Sequence, residues 1–389
     1  MKMSHWQGAV STCLGAMLCL TGCASTPMQV VKLDPLLIEA VVVDGEKRVE
    51  VLDPELLFEQ AGKAFQSSDY VTAAQKYGLI VSRFGKSRWA NVSRYNGGLA
   101  LERSGRCPEA VLLYDALIKR VAGSRDAQDA LFRVATCHEN TGTWGAARVA
   151  LDRLLKPEFK GISAVSRLEA HALRGRALQE LDEVALAERD YKAALALYKE
   201  NIGQQVLQRN RYVSMAQFQI AEIYRELFKV IRIRLPVERM ERDIEAKSNL
   251  FLKCQAAFLR TVRFQHPEYS VIAGFRLGQI FETFYDHLLS AEVPPDLDEE
   301  EIAVYYEELK DKIRPLVEKA VDIFERNLRL GQRMGRSGEW MRKTEASLER
   351  LRELMQDDLA REALRKAEEK PASGTTTQKA PDKAGGKKE

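Results

Sequence analysis

The sequence is poor in the residues that most often carry chemistry. Its 389 residues include five histidines and six cysteines. They form no His-Glu-x-x-His and no Cys-x-x-Cys, and no Gly-x-Ser-x-Gly is present, so metalloprotease, dithiol and serine-hydrolase sites find no support. His138, His171, His266 and His287 are scattered and read as packing or groove-lining residues, not ligands. Gly85-Lys86-Ser87 has the ending of a phosphate-binding loop, but Ile80 stands where that loop needs its first glycine. No cofactor, no metal and no enzymatic activity are expected. The net charge of +3 is small and gives no broad field for nucleic acid. Prolines number 12 and gather near element ends and in the C-terminal tail, which leaves long stretches of Ala, Leu, Glu, Arg and Gln free to form helix.

Long hydrophobic runs are also missing, with one exception at the start. Lys2 precedes an apolar stretch from Ala9 to Leu20, too short for the roughly 20 residues that span a bilayer but suited to a signal segment. It ends in Leu20-Thr21-Gly22-Cys23. This ending resembles the lipobox of bacterial lipoproteins. The resemblance implies a signal peptide over 1–22, cleavage before Cys23, and acylation (palmitate among the acyl groups) of the Cys23 sulfur and its new amino group. Two acyl signals are needed for stable anchoring. Ala24 stands where an Asp commonly marks inner-membrane retention, so the resemblance favours the outer membrane and its periplasmic face. Residues 23–53 read as a tether. Leu36 to Val43 is apolar and β-branched, Asp44-Gly45 is a turn signal, and Val49-Glu50-Val51 alternates. A β-hairpin and an extended strap along the first helices fit equally.

Small residues recur at fixed spacing beyond the tether. Ala73, Ala110 and Ala147 stand 37 apart, and Ala187 follows 40 later. The same steps relate Tyr77, Tyr114, Leu151 and Tyr191; Ala61, Gly98, Ala135 and Gly175; and Ile80, Leu117, Leu154 and Ala194. Gly or Ala in a first helix lets a second approach closely, and Ala in the second sits at the crossing. The Tyr or Leu four residues on fills the groove of the next repeat. Helix breaks are expected at Ser68-Asp69, Gly105-Arg106, Gly142-Thr143 and Asp182-Glu183.

Gly98-x-x-Leu101 followed by Ala110-x-x-x-Tyr114 resembles the tetratricopeptide repeat (TPR) family. The resemblance implies an all-α fold, a right-handed TPR-like α-solenoid of helix pairs, with four repeats over 54–210. The period exceeds the usual 34 or so. The family's repeat-end proline is missing, and Leu57, Arg94, Leu131 and His171 replace its first-helix aromatic. Cys107 and Cys137 fall in neighbouring repeats and read as buried free thiols, with pairing in an oxidising compartment as the alternative. Cys254 reads as a small core residue.

Residues 211–355 continue the helical pattern less regularly. Helices are expected over Met215–Ile231, from Pro236 to about Phe264, over Val271–Leu289, from about Asp298 to Leu330, and over Trp340–Met355 as a closing helix. His266-Pro267-Glu268-Tyr269, Phe275-Arg276-Leu277-Gly278, Pro294-Pro295, Lys319-Ala320 and Trp340 resemble TPR proteins of the deltaproteobacterial envelope, some of them in gliding-motility complexes. The first repeats are also similar to outer-membrane assembly and envelope-coordination lipoproteins. Residues 356–389 read as a charged helix end and a disordered tail. Its lysines suit a solubilising tail, with contact to acidic lipid or peptidoglycan as the alternative.

First helices line the concave side of a solenoid. The repeat register turns Phe58, Phe65, Tyr95, Asn96, Leu99, Arg103, Phe132, Arg133 and Arg176 inward, a mixture of aromatics and arginines suited to an extended or helical peptide. The alternative is that these residues fill a narrow groove or meet the N-terminal strap. Asn96 and Arg133 match two positions of the family's carboxylate clamp, but Phe58 and Gly62 replace its Lys and Asn. The expected function is a non-catalytic scaffold, anchored to a membrane by lipid and facing the periplasm, that docks envelope proteins or peptides and no nucleic acid. A part of a gliding-motility or secretion machine is one alternative. A cell-wall-acting enzyme with paired acids in a cleft of 211–355 is another.

Overall fold

A computed structural model of the protein describes residues 36–43, 46–157, 159 and 161–368. The signal segment, Cys23, the Asp44-Gly45 turn and the tail from Lys370 lie outside these residues. The described chain begins with β1 (Leu37–Val43) and β2 (Glu46–Leu52), an antiparallel pair in which Ile38 faces Val51 and Ala40 faces Val49. The pairing is the one a hairpin would make, with its turn outside the described residues. Side chains alternate across a strand, so Leu52 is buried against the helices while Ile38, Val49 and Val51 stay exposed. Glu39 pairs with Arg83 of the second helix at 3.0 Å.

Helices follow in pairs: α1 (Pro54–Gln66) with α2 (Tyr70–Arg83), α3 (Ala90–Arg103) with α4 (Cys107–Arg120), and α5 (Arg125–Asn140) with α6 (Trp144–Leu154). Then come α7 (Ala164–Glu180) with α8 (Val184–Glu200), α9 (Arg211–Val230) with α10 (Val237–Arg263), and α11 (Pro267–Leu289) with α12 (Glu299–Arg333); α13 (Glu339–Glu368) closes the series. Each helix packs on the next, and the fold is an all-α solenoid. Polar side chains start the helices by taking orphan backbone N–H groups. Asp53, Asp69, Ser124, Ser163 and Asn210 do so for α1, α2, α5, α7 and α9. Asp298 and Glu301 form a capping box on α12. Within the first four pairs the chain turns on one left-handed residue, at Ser68, Gly105, Gly142 and Asp182 (φ 66°, 78°, 69° and 60°). These are the four breaks read from the sequence.

The recurring small residues form the interfaces. Ala73, Ala110, Ala147 and Ala187 are all fully buried, as are Tyr114, Leu151 and Tyr191, with Tyr77 nearly so. A Cβ on Gly98 would come within 2.5 Å of the Tyr114 ring, and one on Gly175 within 2.7 Å of Tyr191. Glycine is what lets these ring faces lie on the helix backbone. The same arrangement continues past residue 211. Cys254 and Phe258 in α10, and Ala320 and Phe324 in α12, repeat the Ala-x-x-x-Tyr step and are fully buried. Gly278 lies under Phe324 as Gly98 lies under Tyr114, and Cys254 faces the Ala221 carbonyl at 3.9 Å. The second half therefore differs in helix and loop length, not in how its helices meet. Its helix ends also shift from the sequence reading. Asn210 starts α9 at Arg211, His266 starts α11 at Pro267, and α13 runs on to Glu368. No described helix is long and apolar enough to cross a membrane.

Candidate functional site

The first helices α1, α3, α5, α7, α9 and α11 present a common face, and side chains couple along it. Tyr95 of α3 lies beside Arg133 of α5 and favours its charge. Arg133 also reaches Glu102 Oε1 at 3.4 Å, and Glu102 Oε2 accepts from the Tyr114 hydroxyl at 3.2 Å. Burial works against the Arg133 charge, but Tyr95 and Glu102 outweigh it and raise its pKa. Farther along, Tyr212 of α9 lies beside Glu169 of α7. Burial pushes the Glu169 carboxyl up, while Tyr212 and Arg133 pull it down. Glu139 of α5 is pushed up by burial and drawn back by Arg176 and Arg211. One of its buried oxygens, Oε1, has no hydrogen-bond partner. Arg211 in turn lies beside Tyr269 of α11.

The inward residues expected from the repeat register separate into two groups. Tyr95, Asn96, Arg133 and Arg176 belong to this polar row: Asn96 lies near the Tyr77 hydroxyl, and Arg176 lies over the Trp144 ring at 5.6 Å. Phe58, Phe65 and Phe132 are half-buried and packed on the core. Phe58 stacks on Trp89 at 4.6 Å and Phe65 meets Tyr70 edge-on at 5.3 Å. Leu99 is half-buried and Arg103 is exposed in the last turn of α3. Sequence reasoning missed Glu102, Glu139, Glu169, Arg211 and Tyr212. Glu102 and Glu139 lie four residues after Gly98 and Ala135, one helical turn along the same face, so the register held a signal for them. This row offers donors and acceptors in a desolvated strip, which suits peptide main chain and polar side chains.

Residues of α6, α7 and α8 line an open cavity of about 460 Å³. It holds an Asp–His pair: Asp190 is 4% exposed and lies 3.0 Å from His171 Nδ1. Arg174 grips both Asp190 oxygens at 2.6 and 2.7 Å and reaches Asp152 at 2.8 Å. Burial alone would raise the Asp190 carboxyl, but Arg174 and His171 outweigh it and lower it. Through Arg174 and Asp190 this cluster ties α7 to α8, and Asp152 ties it to α6, so it stitches three helices together. Among the described residues, His, Cys, Asp and Glu gather nowhere in threes that could hold a metal. Cys107, Cys137 and Cys254 are free and buried, and burial pushes the Cys254 thiol up to about 12.

Paired acids do occur in the second half. Glu282 and Asp286 stand one turn apart on α11, and burial raises both, Glu282 to about 7. Arg350 of α13 donates to Glu282. Among the described residues, neither acid lines the two cavities that follow. One of about 340 Å³ lies between α10, α11 and α12, and one of about 480 Å³ lies beside Lys229, Arg232 and His287.

No family model and no curated protein matches the sequence. Solved structures with partial likeness include the TPR-like repeats of a kinesin light chain from Podosopora anserina. That likeness is 16% identical with TM-score 0.36, over 52% of this chain and 96% of that one. A tetratricopeptide repeat protein from Parabacteroides merdae is 14% identical with TM-score 0.36, over 75% and 98% of the two chains. A TPR repeats protein from Bacteroides fragilis is 16% identical with TM-score 0.30, over 59% and 96%. The assignment as an all-α solenoid of helix pairs rests on the interface that this chain repeats within itself.

Proposed function

We propose that the chain is a non-catalytic scaffold that holds peptide segments of envelope proteins along its first-helix face. We place it at the outer membrane, facing the periplasm and tied there through a lipidated Cys23. The observation that carries the docking role is the polar row along the first helices, where Arg133 of α5 reaches Glu102 of α3 at 3.4 Å and Glu102 accepts from the Tyr114 hydroxyl at 3.2 Å. Within it the buried Glu139 oxygen lacks a donor. The order of Lys2, apolar stretch and Leu20-Thr21-Gly22-Cys23 supports the anchor. The narrower reading, a part of a gliding-motility or secretion machine, draws on the resemblance over 250–355.

Photo-crosslinking in native membranes tests the docking face. A photoreactive residue at Leu99 or Thr136 should capture a partner, whereas one at Leu112, 69% exposed on α4, should not. Changing Tyr95→Ala and Arg133→Ala together should lower capture at least tenfold, about 1.4 kcal/mol or more, with helix content unchanged. Equal capture from Leu112, or full capture by the double variant, places docking elsewhere. Separately, Cys23→Ser should abolish acyl labelling and release the chain from membranes. Retention of Cys23→Ser in the membrane fraction would refute the anchor.

A further inference from the structure

The segment between α9 and α10 carries Arg232-Ile233-Arg234. Ile233 is buried, and the arginines on either side of it are exposed and line the cavity of about 480 Å³. The backbone that bears them is held at four points. Lys247 Nζ donates to the Ile231 carbonyl at 2.8 Å, and the Arg234 N–H donates to Asp243 at 3.3 Å. The Leu235 N–H donates to Glu292 Oε2 at 2.7 Å, and the Glu292 N–H donates to the Ile233 carbonyl at 3.5 Å. Lys229, His287, Ser290 and Glu292 complete the wall, so among the described residues that line it only Ile233 is apolar.

Positive charge gathers here without carboxylates to meet it. On α9, α10 and α11, Arg225 and Arg276 pair with Glu222, and Arg239 pairs with Asp243. Among the described residues, Arg232 and Arg234 reach no carboxylate. Lys229 meets Glu226 at 3.2 Å in an exposed pair, a kind worth little and readily exchanged. Behind the wall Lys247 is fully buried, and two carbonyls and the Phe228 ring surround its charge. Sealed from any ligand, it acts on the cavity through its field alone. Burial holds the His287 ring below its ordinary pKa, and Lys247, Lys229 and Arg232 press it the same way. Glu292 is the acid of this wall. Its Oε2 is taken by the Leu235 N–H, and no described residue donates to its Oε1.

We propose that this cavity binds a phosphorylated polyol, its phosphate held by Arg232, Arg234 and Lys229 and one of its hydroxyls donating to Glu292 Oε1. A phosphate monoester sets close to two negative charges and three acceptor oxygens against these cations, where a carboxylate offers one charge and two oxygens. Arginine forks match such oxygens two at a time. The polar wall gives no bed for an acyl chain, and the volume is in the range of small-ligand sites, roughly 300–1,000 Å³. The cavity adjoins the C-terminal end of α9, about 26 Å along that helix from Tyr212 at 1.5 Å per residue. It therefore does not depend on the docking face.

Calorimetric titration of the full chain tests this with glycerol 3-phosphate, propyl phosphate, glycerol and sulfate. Glycerol 3-phosphate should bind at least about tenfold tighter than propyl phosphate, the worth of a hydrogen bond to a charged group. Glycerol should not bind. Arg232→Ala with Arg234→Ala should weaken both phosphates by at least about tenfold, with helix content unchanged. Lys119→Ala with Arg120→Ala removes the same charge from exposed positions at the end of α4 and should change nothing. Glu292→Gln keeps an acceptor for the Leu235 N–H and should erase the preference for glycerol 3-phosphate without weakening propyl phosphate. Phosphatidylcholine vesicles with and without phosphatidylinositol 4-phosphate separate the two sources of such a group. If Cys23→Ser sediments with the phosphorylated vesicles alone and glycerol 3-phosphate releases it, the source is a lipid headgroup. If glycerol 3-phosphate binds and neither vesicle does, the source is a soluble polyol phosphate. The proposal fails if no phosphate binds, if sulfate or propyl phosphate binds as tightly as glycerol 3-phosphate, or if the two double variants lose affinity equally. It also fails if Arg232→Ala with Arg234→Ala binds as wild type does.

Discussion

The closing helix α13 should loosen as pH rises from 5 to 8, and Glu282 is the reason. Its carboxyl lies on α11 at 5% exposure and is covered by Arg350 of α13. Burial raises it from 4.5 to about 7, Arg350 opposes the rise, and Asp286 adds to it. When α13 lifts, Glu282 meets water and returns to its ordinary value. Between these two pH values the docked state holds a proton that the open state has released, so docking weakens as pH rises. The contribution is complete below about 4.5 and lost above about 7. That interval, at about 1.36 kcal/mol per pH unit, amounts to about 3 kcal/mol. Amide hydrogen exchange over residues 340–355, corrected for the intrinsic pH dependence of exchange, reads the opening free energy directly. Wild type should lose most of this amount between pH 5 and 8. Glu282→Gln should remove most of the slope and slow exchange at pH 8. Asp286, also raised by burial, should leave a smaller slope of the same sign. A flat wild-type profile, or an equal slope in Glu282→Gln, refutes the reasoning.

Lys247 carries the opposite sign. It is fully buried and donates to the Phe228 and Ile231 carbonyls at 2.8 Å each, and burial lowers its pKa from 10.5 to about 8. The unfolded chain holds the proton longer, so stability should rise between about pH 8 and 10.5, by at most about 3 kcal/mol. The difference between wild-type and Lys247→Met denaturation curves isolates this rise from tyrosine titration; a difference that does not change over this range contradicts it. In the fourth pair, Gly175→Ala should cost about 1–3 kcal/mol by pressing on the Tyr191 ring. Adding Tyr191→Leu should recover at least half of that, since Ala135 and Leu151 already form such a pair. Additive costs in the double-mutant cycle would show that the ring does not meet the helix backbone.

The first four helix pairs were legible because their two helices and turn are short and nearly constant in length. Ala61 to Ala73 and Gly98 to Ala110 are both 12 residues apart. In the later pairs the same contacts join Ala221 to Cys254 and Gly278 to Phe324. Longer helices and loops stretch these separations, so the contact survives while the sequence period does not. The four-residue step Cys254 to Phe258 and Ala320 to Phe324 was a readable trace of it. The acids of the docking face were harder to see. Glu139 and Glu169 are distinguished by what other helices place around them, and a run of sequence does not display that. The phenylalanines show the converse. Aromatic residues on a first helix read as binding groups, yet Phe58 spends its ring on Trp89 and Tyr77.

The neighbour-to-neighbour packing of the pairs has a mechanical consequence. Tension applied between the N-terminal end and a distant docked partner would pass through the helix pairs in series. In such an arrangement the weakest joint, not the total strength, sets the load at which the chain lengthens. Yielding at one joint would relieve its neighbours and leave them intact. The molecule would then pay out length in steps, as a spring with sacrificial coils does.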